Sequence, residues 1–164
     1  MKTRRNPNQR KGFSLIELLI VVTIILIIAT IAIPNLSKSK IQANETSAVG
    51  SMKALNETAI LYSNTYGGFP HALSDLGPAA SGTAASSASA DLLDSVLSGG
   101  VKSGYRFTYS PGATDPAGNV LSYTVTATPV SPGTTGQRSF FTDQSGTIRS
   151  SSNGIADASS TPLG

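Results

Sequence analysis

From Phe13 to Leu36 the chain is apolar almost without interruption, and the one formal charge in that stretch is Glu17. The nineteen residues from Leu15 to Ile33 would extend about 28 Å as a helix, against a bilayer hydrocarbon core of about 30 Å. Such a segment is long enough to cross a membrane. Past Pro34 the pattern becomes one-sided. Ile41, Ala48, Met52, Leu55, Ala59 and Tyr62 recur at helical steps, with Lys38, Lys40, Glu45, Lys53 and Glu57 as polar neighbours. That period predicts a continuing helix with one buried stripe, which Tyr66-Gly67-Gly68-Phe69-Pro70 ends. Pro34 removes a backbone donor and crowds the carbonyl of Thr30, so a kink or loosened turn is expected there.

The pattern then changes period. A short helical turn is expected over 71–76, and 77–90, made almost wholly of Ala, Ser, Gly and Thr, has too little apolar bulk to pack and reads as a surface loop. Leu92, Leu93, Val96 and Leu97 predict a short amphipathic helix over 91–97. Tyr105-Arg106-Phe107-Thr108-Tyr109 and Ser122-Tyr123-Thr124-Val125-Thr126 alternate and are rich in aromatic and β-branched residues, which predicts strands. Ser139-Phe140-Phe141-Thr142 and Thr147-Ile148-Arg149 flank Asp143-Gln144-Ser145-Gly146, whose residues suit a tight hairpin turn. The tail after Ser150 is expected to lack regular structure. The fold class is therefore α+β, with a long N-terminal helix packed against a small antiparallel sheet of three or four strands.

Charge sharpens the picture. The formal net charge is +3, yet Lys2, Arg4, Arg5, Arg10 and Lys11 supply five of the twelve basic residues. Beyond them seven basic residues face nine acidic ones, so the basic character belongs to the leader and no specific nucleic-acid site is expected. Positive charge ahead of the apolar run places the N-terminus in the cytoplasm by the positive-inside rule. The chain has no cysteine, which excludes disulfide stapling, lipoprotein anchoring and thiolate metal sites. A cleaved secretory signal ending near Thr30-Ile31-Ala32 is the plain alternative. Against it stand the length of the apolar run, the carboxylate near its start and the helical pattern that continues past Ala32. Arg4-Arg5 as a twin-arginine signal is disfavoured by the polar Asn6-Pro7-Asn8 that follows.

Glu17 needs a reason. A carboxylate at mid-bilayer costs about 2.5–3.5 kcal/mol on insertion scales, and less near an interface. Ser14-Leu15-Ile16-Glu17 fits a capping box, in which Glu17 reaches back to amides of the first turn. The wider constellation is Arg10-Lys11-Gly12-Phe13-Ser14-Leu15-Ile16-Glu17 followed by an apolar run ending near Pro34. It resembles the class III prepilin signal of type IV pilins and pseudopilins over residues 10–34. The head, with Tyr66-Gly67-Gly68-Phe69-Pro70 and the strand segments above, is similar to short cysteine-free major pilins, although it lacks the C-terminal cysteine pair of many pilins.

The resemblance implies that a prepilin peptidase cuts between Gly12 and Phe13 on the cytoplasmic face and methylates the new amine of Phe13. It also implies that Glu17 meets the Phe13 amine of a neighbouring subunit during assembly. On that reading residues 1–12 are a removed leader, 13–36 a transmembrane and assembly helix, 37–66 an amphipathic helix packed on the head, 67–103 a loop region with a short helix, 104–150 the sheet and 151–164 a tail. The implied partners are further copies of the chain in a helical filament, the peptidase, an assembly ATPase with its inner-membrane platform, and membrane lipid before assembly. The implied location is the bacterial inner membrane, then an extracellular pilus or a periplasmic pseudopilus.

Three functions remain open: a pilin serving adhesion, motility or DNA uptake, a major pseudopilin of type II secretion, and a membrane-tethered binding module that does not polymerise. An enzyme is not expected, because no nucleophile elbow, phosphate loop or dinucleotide fingerprint appears. No cofactor is expected. Asp115, Asp143 and Asp157 are the candidate calcium ligands, but they are far apart in sequence and calcium is not favoured. His71, the only histidine, reads as a loop residue, and Asp91 with Asp94 as charges on a solvated helix face. The sequons at Asn35, Asn44 and Asn56 fall on the predicted helix and are attributed to chance. Tyr62, Tyr66, Phe69, Tyr105, Phe107 and Tyr109 are assigned to helix stripe and sheet core.

Overall fold

A computed structural model describes residues 12–163; Lys2, Arg4, Arg5, Arg10 and Lys11 lie outside the described residues. One helix, α1, runs over Leu15–Tyr66 with Pro34 inside it. The helix assignment is continuous through that proline. The chain divides into two compact units between Ser37 and Lys38, and each is described by itself.

In the second unit α1 buries Ala48, Met52, Leu55, Ala59 and Tyr62, the stripe that the helical period predicts, while Ile41 at its start is half-buried. A 3₁₀ turn over Leu73–Leu76 inserts Leu73 and Leu76 beside that stripe. The helix expected over 91–97 is only α2, Ser95–Ser98. Asp91 has a positive φ of 56°, which stops helix from starting there, and Asp94 is the N-cap, accepting from the amides of Val96 and Leu97. Asp91 and Asp94 therefore share no helix face.

The sheet is antiparallel and has six strands in sequence order: β1 Val101–Lys102, β2 Tyr105–Pro111, β3 Tyr123–Pro129, β4 Ser139–Asp143, β5 Arg149–Ser151 and β6 Thr161–Pro162. The central strands follow the alternation in the sequence. Tyr105 and Phe107 on β2, with Tyr123, Val125 and Ala127 on β3, join the core beneath α1, while Arg106 and Thr108 are exposed. On β4 the register sets Phe140 opposite Ala127 and Thr142 opposite Val125. Those two side chains face inward. Phe141, on the other face, is also buried.

The tail corrects the expectation of an unstructured end. Ser139 Oγ, buried on β4, donates to the carbonyl of Gly154 at 2.7 Å and accepts from the amide of Ala156 at 2.7 Å. The Arg149 guanidinium donates to the carbonyl of Ser160, and the amide of Leu163 donates to the carbonyl of Ile148. These are backbone, hydroxyl and guanidinium bonds, which leave no hydrophobic period in the sequence. The loop 77–90 is exposed over most of its length, and its base is closed by Ala90, Asp91 and Leu92 amides donating to the carbonyls of Asp75, Gly77 and Leu76.

Glu45 departs most from its expected place. Expected as a polar neighbour on the helix surface, it is buried. Its Oε1 accepts from the amides of Gln137 and Arg138, and its Oε2 from Arg138 Nε at 2.8 Å. Asn44 Nδ2 adds a bond to the carbonyl of Thr135, so the β3–β4 loop is strapped to α1 by two adjacent side chains. Burial pulls the Glu45 pKa upward, but the amide of Gln137, the Arg138 guanidinium and the Arg138 amide together outweigh it and hold the carboxyl below its ordinary value.

The folded chain thus holds this proton less tightly than the unfolded chain does. Its contribution to stability is complete above the ordinary glutamate value of about 4.5 and is lost as pH falls through the lower folded value. Denaturation of the full chain in detergent at several pH values should show stability falling in acid. Glu45→Gln should make that fall shallower; an unchanged acid slope would show that the strap does not depend on the charge.

Candidate functional site

The first unit presents the residues that the resemblance singles out. Gly12 and Phe13 precede the helix, and Phe13 is 84% exposed. A Cβ on Gly12 would meet nothing within 4 Å, and Gly12 does not have a positive φ. Neither close packing among the described residues nor left-handed backbone explains a glycine at this position. Ser14 donates its amide to Glu17 Oε2 at 2.9 Å, and the amide of Leu18 closes the first turn on the carbonyl of Ser14. This is the backward reach expected of Glu17 in a capping box. The carboxylate sits where the helix dipole favours an anion and remains exposed.

Beyond Glu17 sixteen large apolar side chains from Phe13 to Leu36 stand exposed, among them Leu15 at 83% and Val22 at 45%. Immersed in water they would forgo about 1.5–3 kcal/mol each, so the segment requires lipid or protein around it. Its most apolar window has a mean hydropathy of 3.0, and α1 is long and apolar enough to cross a membrane. The polar side chains within it turn inward on their own backbone. Thr23 donates to the carbonyl of Leu19, Thr30 to that of Ile27, and Asn35 Nδ2 to that of Ile31, which suits an apolar surrounding. Glu17 is the one charge left for a partner to answer.

A family described as the prokaryotic N-terminal methylation motif matches residues 7–33. The type IV major pilin protein PilA of Myxococcus xanthus (strain DK1622) is 51% identical over 53 residues, which are 32% of this chain and 24% of that protein. The type II secretion system core protein G of Escherichia coli (strain K12) is 33% identical over 58 residues, 35% of this chain and 40% of that protein. The N-terminal segment of the chain thus carries the methylation motif and is similar to that of a type IV pilin and of a type II secretion core protein. The aligned stretch spans less than half of either relative, and no solved structure matches the chain.

Elsewhere in this pilin-like chain the sequence-predicted candidates stay apart. Asp115 accepts from the amide and side chain of Asn119, Asp143 from the amide of Ser145, and Asp157 from Ser159 and Ser160. Each carboxylate closes its own turn, and among the described residues no three acidic or histidine side chains form a cluster suited to a metal ion. The sequon amides Asn44 and Asn56 are both engaged inside the fold, Asn56 being buried.

Sequence reasoning missed one feature. Tyr66, Phe69 and His71, assigned to helix, core and loop, open together with Asn119 onto a cleft of about 510 Å³. Their segments lie some fifty residues apart in sequence, and only the fold brings them together.

Proposed function

We propose that the chain is the structural subunit of a type IV pilus, anchored through 13–36 after removal of a leader at Gly12 and polymerised into a helical filament for adhesion, motility or DNA uptake. The observation that carries the proposal is Glu17. It is a lone carboxylate in the first turn of an apolar, exposed segment, one turn from Phe13, whose amine cleavage would free. In a lipid-free filament core an unpaired carboxylate would be costly, whereas an ammonium from an adjoining copy satisfies both charges. A copy inserted out of register would bury two unpaired charges, so the pair sets register as well as affinity. In the membrane the same carboxylate rests on the Ser14 amide, and assembly exchanges one partner for the other.

The apolar helix serves in turn as anchor and as packing surface. Leaving the bilayer exchanges lipid contacts for helix contacts without a gain from water exclusion, so extraction requires work, and a cytoplasmic ATPase with a membrane platform is the class of partner that would supply it. On this reading the leader stays in the cytoplasm, the head lies across the membrane, and the protein is not an enzyme and needs no cofactor.

Mass spectrometry of protein purified from its own cells tests the processing step. The expected chain begins at Phe13 and carries one additional methyl group on its N-terminus. An intact leader, or a terminus near Ala32, would overturn the reading. The similarity to a type II secretion core protein supports a second reading, a pseudopilin forming a short periplasmic filament. Electron microscopy for surface fibres, together with a secretion assay in a deletion strain, separates the two.

A further inference from the structure

The cleft at the C-terminal end of α1 has the size and lining of a binding site, and the pairing proposed for Glu17 and Phe13 does not involve it. Its volume of about 510 Å³ falls within the usual range for small-ligand sites, about 300–1,000 Å³. One side is aromatic. Tyr66 lies with its ring 4.7 Å from that of Tyr62, and Phe69 packs edge-on to Tyr123 at 4.8 Å, so both rings have fixed backing. Tyr62 is further fixed by its hydroxyl, which donates to the carbonyl of Ser87 at 2.6 Å.

The adjoining part of the lining is polar and held rigid. Asn119 is clamped to Asp115 through its amide at 2.8 Å and its Nδ2 at 2.9 Å, which leaves Oδ1 free to accept. The amide of Phe69 donates to the carbonyl of Val120, and a Cβ on Gly68 would strike Asn119. The two walls are thus locked at close approach, and only glycine fits between them. The Tyr66 hydroxyl and the His71 imidazole form no hydrogen bond with other described residues.

The lining selects the ligand class. It contains no lysine or arginine, which disfavours a phosphate or carboxylate. Its one carboxylate, Asp75, already accepts on Oδ2 from the amides of His71 and Ala72, which weakens it as a counter-ion for a cation. Two supported aromatic rings in one lining with an amide carbonyl, the Tyr66 phenol and an imidazole suit a neutral molecule with apolar C–H faces and hydroxyl edges. We infer that this cleft binds a neutral saccharide, with Tyr66 and Phe69 stacking on a sugar face and Asn119 and His71 meeting its hydroxyls. The site is built from the second unit alone, so it does not depend on whether the chain polymerises.

The test uses the full chain in a detergent without a sugar headgroup, labelled with ¹⁵N and titrated with chitotriose, cellotriose and mannotriose, with tetramethylammonium and inorganic phosphate as comparison probes. At least one trisaccharide should shift the amide signals of Phe69, Gly118 and Asn119 in a saturable way. Tyr66→Ala should weaken that binding about tenfold while leaving the remaining spectrum native. Asn119→Leu, which removes the accepting oxygen, should weaken the binding as well. No saturable shift with any of the three sugars, or a shift by tetramethylammonium or phosphate instead, would overturn the assignment.

Discussion

Replacing Glu17 by alanine is expected to abolish filaments while leaving the protein cleaved, methylated and resident in the membrane. The substitution removes the first-turn carboxylate, and the helix loses only the bond from Ser14, a loss of about 0.5–2 kcal/mol. The sixteen exposed apolar side chains that hold the segment in lipid are untouched. Insertion should even improve slightly, because a charge is removed from the apolar segment. Assembly responds in the opposite direction. An ammonium left without its carboxylate in a packed core costs about 3–5 kcal/mol, which is a factor of roughly 10² to 10⁴ in each subunit's association. Because every subunit of a polymer repeats the defect, elongation should fail outright.

Two further substitutions separate the charge from the shape of the side chain. Glu17→Gln keeps the capping oxygen and loses the charge, and should fail to assemble as alanine does. Glu17→Asp keeps the charge on a shorter stem and should retain partial assembly. Immunoblots of membrane and sheared-surface fractions, beside electron microscopy of the cells, read all three. Abundant normal filaments from Glu17→Ala, or equal filament yields from Glu17→Gln and the parent, would sink the pairing.

The first unit was legible because its information is local. A charge pattern, a glycine, a carboxylate and an uninterrupted apolar run lie within twenty-five residues and require no tertiary partner to be interpreted. The lower helix was legible for a related reason, since Ala48, Met52, Leu55 and Ala59 repeat at the helical period. β2 and β3 announce themselves by alternating aromatic and threonine positions. β1 and β6 do not, because strands of two residues such as Val101–Lys102 and Thr161–Pro162 carry no period and owe their place to backbone bonds, whereas β5 is signalled by the hairpin turn at 143–146 although it begins only at Arg149.

Glu45 shows the converse difficulty. A glutamate among lysines on a helix ordinarily faces water, and the amides that receive it here belong to residues 92 and 93 positions away. The cleft beside Tyr66 failed to show for the same reason, as its lining comes from the end of α1 with the loop after it and from the distant loop before β3, and its glycine at 68 reads in the sequence as helix punctuation.

Asn56 has a role that its sequence context does not announce. Its sequon, attributed to chance, carries no meaning here, because the side chain is 6% exposed beneath the sheet. Its Oδ1 accepts from the Tyr123 hydroxyl at 3.0 Å, and its Nδ2 donates to Thr142 Oγ1 at 2.9 Å and to the carbonyl of Gly146 at 3.3 Å. Burial pushes the Tyr123 hydroxyl up to about 12, so it stays protonated and remains a donor. Tyr123 and Thr142 are themselves almost wholly buried, at 1% and 0% exposure.

Asn56→Ala therefore strands two buried hydroxyls at once. At about 1–3 kcal/mol for each unsatisfied group, the expected loss is about 3 kcal/mol, or a fall of roughly 10 °C in Tm for a head of this size. Tyr123→Phe leaves only the Asn56 oxygen short and should cost about half as much. Combined with Asn56→Ala it should add little further loss, because the stranded hydroxyl is gone. Thermal and urea unfolding of the full chain in detergent, followed by tyrosine fluorescence, measures the cycle. Strict additivity of the two substitutions, or a loss below about 1 kcal/mol for Asn56→Ala, would show that the buried amide does not hold helix and sheet together as the geometry requires.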